Sequence, residues 1–154
     1  MTAARPRPHS VSAAVLAGTL LCVATACASG PSASAEAGKA ETTWEEPASY
    51  DYTLTSATQV LAGTFRVKVR DGTVAQVTGI DADSRRQSRE LPGQVPTMGE
   101  LLKRLDQARR DHADTAEAEY AADGHPLRIT LDEDKNAVDD EALYVISSYD
   151  PTVG

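Results

Sequence analysis

The densest run of groups able to do chemistry is Asp132-Glu133-Asp134-Lys135-Asn136-Ala137-Val138-Asp139-Asp140-Glu141. With Asp132 as the first position, Asp134 and Asn136 stand third and fifth, and Asp140 ninth. That is the spacing at which an EF-hand loop turns short oxygen-bearing side chains toward one calcium ion. Calcium needs several hard oxygens converging on a point, and alternate acidic residues supply them. Two positions break the pattern. Ala137 occupies the place of the sharp-turn glycine, and Leu143 the twelfth place, where a bidentate acid belongs. The run also joins two predicted strands, not two helices. Asp132, Asp134, Asn136 and Asp140 are the candidate calcium ligands, set against a solvated turn that keeps a sheet end soluble.

Other chemistry finds less support. His112 lies beside Asp111 and Asp114, and His125 precedes Pro126, but no spacing brings the two histidines together as zinc ligands. There is no Gly-x-Ser-x-Gly elbow, glycine-rich phosphate loop or His-Glu-x-x-His pair. Asp139 and Asp140 are neighbouring carboxylates, yet on a water-facing loop they couple too weakly for acid–base work. No cysteine follows Cys27, which excludes a cysteine nucleophile, a CxxC redox pair, a thiolate zinc site and a disulfide staple in the folded region. The chain is therefore expected not to be an enzyme, and to need no cofactor beyond calcium in the acidic run. Arg85, Arg86 and Arg89 form a basic spot flanked by Asp81, Asp83 and Glu90, which reads as a solvated loop with internal ion pairs.

The beginning of the chain has a different logic. Arg5 and Arg7 precede an uncharged, mostly apolar stretch, residues 11–26, which is too short for a full membrane span. The small residues Ala24, Thr25 and Ala26 then stand directly before Cys27, as before the lipid-acceptor cysteine of a bacterial lipobox. Ala24 departs from the usual leucine, and Cys22 is the rival acceptor, though Leu21 before it is too large. Residues 1–26 are read as a signal peptide, 27–43 as a lipid-anchored flexible tether rich in small polar residues, and 44–154 as a single domain. The expected location is the extracytoplasmic face of the cell membrane, with plain secretion, cleaved after Ala26 or Ala28, as the alternative. The whole chain has net charge −8, and removing Arg5 and Arg7 makes the remainder more acidic still. Such a surface opposes nucleic acid.

The elements that must position these groups follow from hydrophobic periodicity. Tyr50, Tyr52 and Leu54 alternate with Asp51 and Thr53. Phe65, Val67 and Val69 alternate with Arg66, Lys68 and Arg70, and Asp71-Gly72 then predicts a type I′ hairpin into a strand over residues 73–78. Residues 81–96, with Pro92, Gly93 and Pro96, read as an exposed loop. Thr97 and Glu100 have capping-box spacing, and Met98, Leu101, Leu102, Leu105 and Ala108 share one helical face. A second hairpin turns at Asp123-Gly124, and a last strand over residues 142–149 precedes Pro151. The order is β-β-β-α-β-β-β. The expected fold is α+β, a meandering antiparallel sheet of five to six strands with one helix on one face.

Tyr120, the run Asp123-Gly124-His125-Pro126, Ile129, Asp132, and Asp139-Asp140-Glu141 before a final aromatic strand resemble a family of exported actinobacterial lipoproteins catalogued only as a domain of unknown function. The Tyr50-Asp51-Tyr52 strand, the Asp71-Gly72 hairpin and the helix match in order, so the resemblance spans residues 50–150. Many members carry two cysteines just after the first strand, where this chain has Ser56, Ala57 and Thr58, and His125 replaces a more usual Tyr or Phe. The resemblance implies a location and a fold, but no activity. The expectation is a membrane-tethered interaction or binding module with a partner in the envelope. The alternative is a calcium- or ligand-binding domain that uses residues 132–141.

Overall fold

The computed structural model describes residues 36–38 and 42–152, so the stretch read as a signal peptide, with Cys22, and the expected lipid acceptor Cys27 lie outside the described residues. The first hairpin pair is β2 (Tyr50–Ala57), β3 (Ala62–Arg70) and β4 (Thr73–Gly79). Asp71 and Gly72 between the last two have φ of 51° and 70°, the positive values that both central residues of a type I′ turn require. Downstream lie β5 (Thr115–Tyr120), β6 (Pro126–Asp132) and β7 (Ala142–Pro151). In the turn between β5 and β6 the Ala121 carbonyl accepts from the Gly124 N–H at 2.9 Å, and Gly124 supplies the one positive φ, 91°. A short edge strand, β1 (Glu36–Gly38), runs antiparallel to β5 from within the stretch read as tether.

All seven strands form one antiparallel sheet in the order β1-β5-β6-β7-β2-β3-β4. The α+β class therefore holds, but the sheet is not a single meander. Two three-strand meanders are joined through their first and last strands, β2 and β7, with Leu54 opposite Ile146 and Ser56 opposite Tyr144. Tight turns dictate each meander, while nothing local dictates the seam between them.

Two α-helices, not one, cover the sheet. The stretch over residues 81–96 is no loop: it holds α1 (Ala82–Glu90) and a 3-10 turn at Pro92–Gln94. Its sequence hides it because α1 has no apolar stripe and buries only Ser84. The helix is started by a reciprocal cap, Ser84 N to Asp81 Oδ1 at 2.8 Å and Asp81 N to Ser84 Oγ at 3.0 Å. It docks through backbone proximity: a Cβ on Gly79 would stand 2.1 Å from the Arg85 amide nitrogen. The Gln87 amide then behaves like one more strand residue, accepting from Ala62 N at 3.1 Å and donating to Ala62 O at 2.8 Å.

The second helix, α2 (Met98–Arg110), is the expected one, with the Thr97–Glu100 capping box formed and Met98, Leu101 and Leu105 buried. They face Tyr50, Tyr52, Leu54, Phe65, Val67, Val69, Ile129 and Ile146 in one apolar layer. Two buried phenols tie helix to sheet. Tyr52 Oη donates to the Pro96 carbonyl. Tyr50 Oη accepts from Met98 N at 2.9 Å and donates to Glu46 Oε1. Glu46 Oε1 also accepts from Gly99 N at 2.9 Å. Burial, foremost, drives both phenols well above the ordinary tyrosine range, so they remain hydroxyl donors at any working pH.

This arrangement reverses a familiar substitution rule. Alanine in place of a helical glycine is favourable by roughly 1 kcal/mol. At Gly99, however, a Cβ would lie 2.0 Å from Glu46 Oε2, so the carboxylate must leave and its bonds are lost. Bonds to a charged acceptor are worth about 1.5–3 kcal/mol, so Gly99→Ala is expected to destabilise by about 1 kcal/mol. In a Glu46→Ala background the same change is expected to stabilise. Denaturant midpoints of the four variants of this double-mutant cycle check the inversion of sign.

Candidate functional site

The sheet is dressed on one face only. Side chains of alternate register, among them Thr53, Thr55, Arg66, Lys68, Arg128, Thr130, Leu143 and Ser147, point to the face that neither helix covers. At the end of this face where β6 turns toward β7, the acidic loop over residues 132–141 rises beside the strands and makes a groove of about 900 Å³. Its floor includes Ala57, Ala62 and Leu143, with Arg128 and Thr130 to one side. Val138 on the loop is 85 % exposed above it. A smaller recess of about 250 Å³ lies on the other flank of the loop, where Arg104 and Asp140 both contribute.

The loop is organised by carboxylates bonding to backbone. Asp140 Oδ2 accepts from Asp134 N at 2.8 Å, and Asp114 Oδ2, from the approach to β5, accepts from Lys135 N at 2.9 Å. Asp134 Oδ1 takes both the backbone and the side-chain N–H of Asn136, each at 2.9 Å, which holds the Asp134 carboxyl below the usual carboxylate range. Asp132 is the opposite case. It is half-buried, and its carboxyl is held above the usual range, first by desolvation and then by the charges of Asp140, Asp114 and Asp134, with Lys135 opposing. Asp132 Oδ1 and Asp140 Oδ1 are both enclosed without a hydrogen-bond partner.

The four expected calcium ligands are therefore treated unequally. Asp132 and Asp140 are brought into electrostatic contact, while Asp134 turns its Oδ1 to Asn136. Among the described residues no three carboxylate, imidazole or thiol groups form a ligand cluster. Asp114 is the member that spacing could not reveal. It reaches the loop because Thr115 pairs with Asp132 across β5 and β6, a matter of register and not of sequence distance.

The histidines stand at opposite ends of β5, His112 before its start and His125 in the turn beyond its end. His125 packs on Tyr149 with ring centroids 4.4 Å apart, and its Nδ1 lies 2.5 Å from Asp123 Oδ1. Tyr149 also meets Trp44 and Tyr50 edge-on. This cluster seats the segment entering β2, where Thr42 Oγ1 donates to the Gly124 carbonyl at 2.7 Å. Its chemistry is structural: it clamps the chain's entry onto the second hairpin. The arginines read as a loop patch sit on α1, with Arg86 paired to Asp83 at 3.0 Å and Arg85 Nη1 donating to the Ile80 carbonyl at 2.7 Å.

Residues 36–151 match a family described as a family of unknown function, DUF6174. No curated protein and no solved structure matches the chain.

The crowding at Asp132 has a measurable sign. A folded pKa above the unfolded one means that the native state binds the proton more readily, so ionising Asp132 costs stability above that pH. With chelator present, Asp132→Asn is expected to raise the thermal midpoint at neutral pH. The advantage should disappear as pH falls through the raised pKa, where the parent carboxyl is neutral too. In the same scans millimolar calcium is expected to raise the parent's midpoint, and not the variant's, if the loop collects the ion. No shift in the parent removes calcium from consideration.

Proposed function

The chain belongs to that family, and from this premise we propose that it is a lipid-anchored, non-catalytic binding module held on the extracytoplasmic face of the cell membrane. The observation that carries the reading is the one-sided sheet. Both helices pack on the face bearing Tyr50 and Tyr52, and the other is left as a broad, mixed polar surface that ends in a groove beneath residues 132–141. An antiparallel sheet tolerates water on one face, and a wide face on a rigid scaffold is suited to docking a protein partner. The basic, then apolar, then small-residue order before Cys27 supports the anchor.

A second reading, a cation- or ligand-binding domain, has one specific observation in its favour. Asp132 Oδ1 and Asp140 Oδ1 are enclosed without partners where the charges of Asp114, Asp134 and Asp140 outweigh that of Lys135.

Two measurements test the leading reading. Labelled fatty acid is expected in the parent and to be lost in Cys27→Ala, together with membrane association; equal membrane retention without label would overturn the anchor. A photo-crosslinking side chain at Thr53 on the open face is expected to give a discrete adduct in membranes, and one at Lys103 on the outer side of α2 none. Identical patterns at both positions would remove the open face as the docking surface.

A further inference from the structure

We propose that the outer edge of β4 receives an extended, acidic segment of a partner polypeptide as an additional strand of the sheet; this deepens the binding-module reading and rests on it. The two edges of the sheet differ. β5 is paired along Ala118–Tyr120 by β1, whereas β4 pairs, among the described residues, with β3 alone. Its sequence, Thr73-Val74-Ala75-Gln76-Val77-Thr78-Gly79, contains no charge and no proline, two of the devices that ordinarily keep a free edge from pairing. The β-bulge in its pairing with β3 falls at Ala75, between the pairs Lys68–Gln76 and Val69–Val74. It leaves residues 76–79 as the regular stretch of the edge. An added strand finds its hydrogen-bonding partners there.

Charge identifies the kind of strand. In a chain of net charge −8, cations flank this one edge on both faces. On the open face Arg66 and Lys68 of β3 stand directly opposite Thr78 and Gln76. On the other face α1, packed against β4, carries Arg85, Arg86 and Arg89, all exposed. The nearby acids are partly engaged, Asp81 in the cap of α1 and Asp83 with Arg86. Arg66, Lys68 and Arg89 form no ion pair among the described residues. The acidic loop joins β6 to β7 and shares its groove with Ala62 at the start of β3, but no residue of β4 lines that groove. A strand added to β4 sits two inter-strand spacings from β3, about 10 Å, within reach of long side chains across the intervening Thr78 and Gln76. Carboxylates at alternate positions of the incoming strand thus meet Arg66 and Lys68. A second copy of this chain would bring its own cations to the same edge, so self-pairing is opposed.

The test uses the ¹⁵N-labelled chain and two probes, the peptide Glu-Thr-Glu-Val-Glu-Thr-Glu and its counterpart with lysine for glutamate. The acidic peptide is expected to shift amide resonances over residues 76–79 and to slow exchange at Val77 and Gly79, whose N–H groups turn away from β3, and the lysine peptide to do neither. Arg66→Gln with Lys68→Gln, both on the solvent face and neither in an ion pair among the described residues, is expected to weaken the acidic peptide about fivefold and leave the thermal midpoint in place. No perturbation by the acidic peptide, or equal perturbation by both peptides, overturns the proposal. So does binding mapped to the groove beneath residues 132–141, which leaves the binding-module reading standing. Concentration-dependent shifts at β4 without peptide would assign the edge to self-association and overturn it as well. The adduct at Thr53 decides the module reading independently.

Discussion

The first backbone amides of a helix have no partner inside it, and burying them unpaired is costly. At the start of α2 they are taken one by one by side chains: Met98 N–H by Tyr50 Oη, Gly99 N–H by Glu46, and Glu100 N–H by Thr97. Tyr50 belongs to a strand, Glu46 to the segment leading into it, and Thr97 to the end of the connection from α1. Three separate stretches are thereby fixed around one helix terminus. Because Tyr50 and Tyr52 share a face of β2, and β2 is paired on both sides, their orientation decides which face of the whole sheet is dry. The wet face follows by exclusion. The surface we assign to binding is thus a consequence of how a helix start is satisfied on the other side.

Much of this was legible from the residues. The alternation in β2 and β3, both Asp-Gly turns and the Thr97–Glu100 cap specify their elements locally, through side-chain period, positive φ and reciprocal hydrogen bonds. The failures share a cause. The helix α1 is held by a glycine that lets backbone approach backbone, a buried serine and a glutamine that imitates a strand, none of which leaves an apolar stripe. The β2–β7 seam joins strands from the two ends of the domain. Asp114 reaches the acidic loop, and Glu46 the helix, only once register and packing exist. The acidic loop itself was found from spacing, but spacing could not tell that Asp134 would spend its oxygen on Asn136 while Asp132 and Asp140 kept theirs.

Charge is also unevenly spread. The chain's negative balance resides heavily in residues 132–141, whereas β3 and α1 gather arginines and a lysine around β4. The −8 total therefore describes neither the acidic loop nor the β4 edge. An approaching macromolecule meets two patches of opposite charge, and they bias its orientation on encounter.

The seam between β2 and β7 bears on how the protein comes into being. The central pair of strands consists of the first long strand and the last, so the apolar layer is incomplete until the final residues are available. Fold closure across nearly the whole domain carries a large loop entropy and makes for slow, late assembly. A chain emerging N-terminus first would hold β2 exposed on one side until β7 arrives. Such a topology couples the two meanders: neither completes its apolar layer before the other is made.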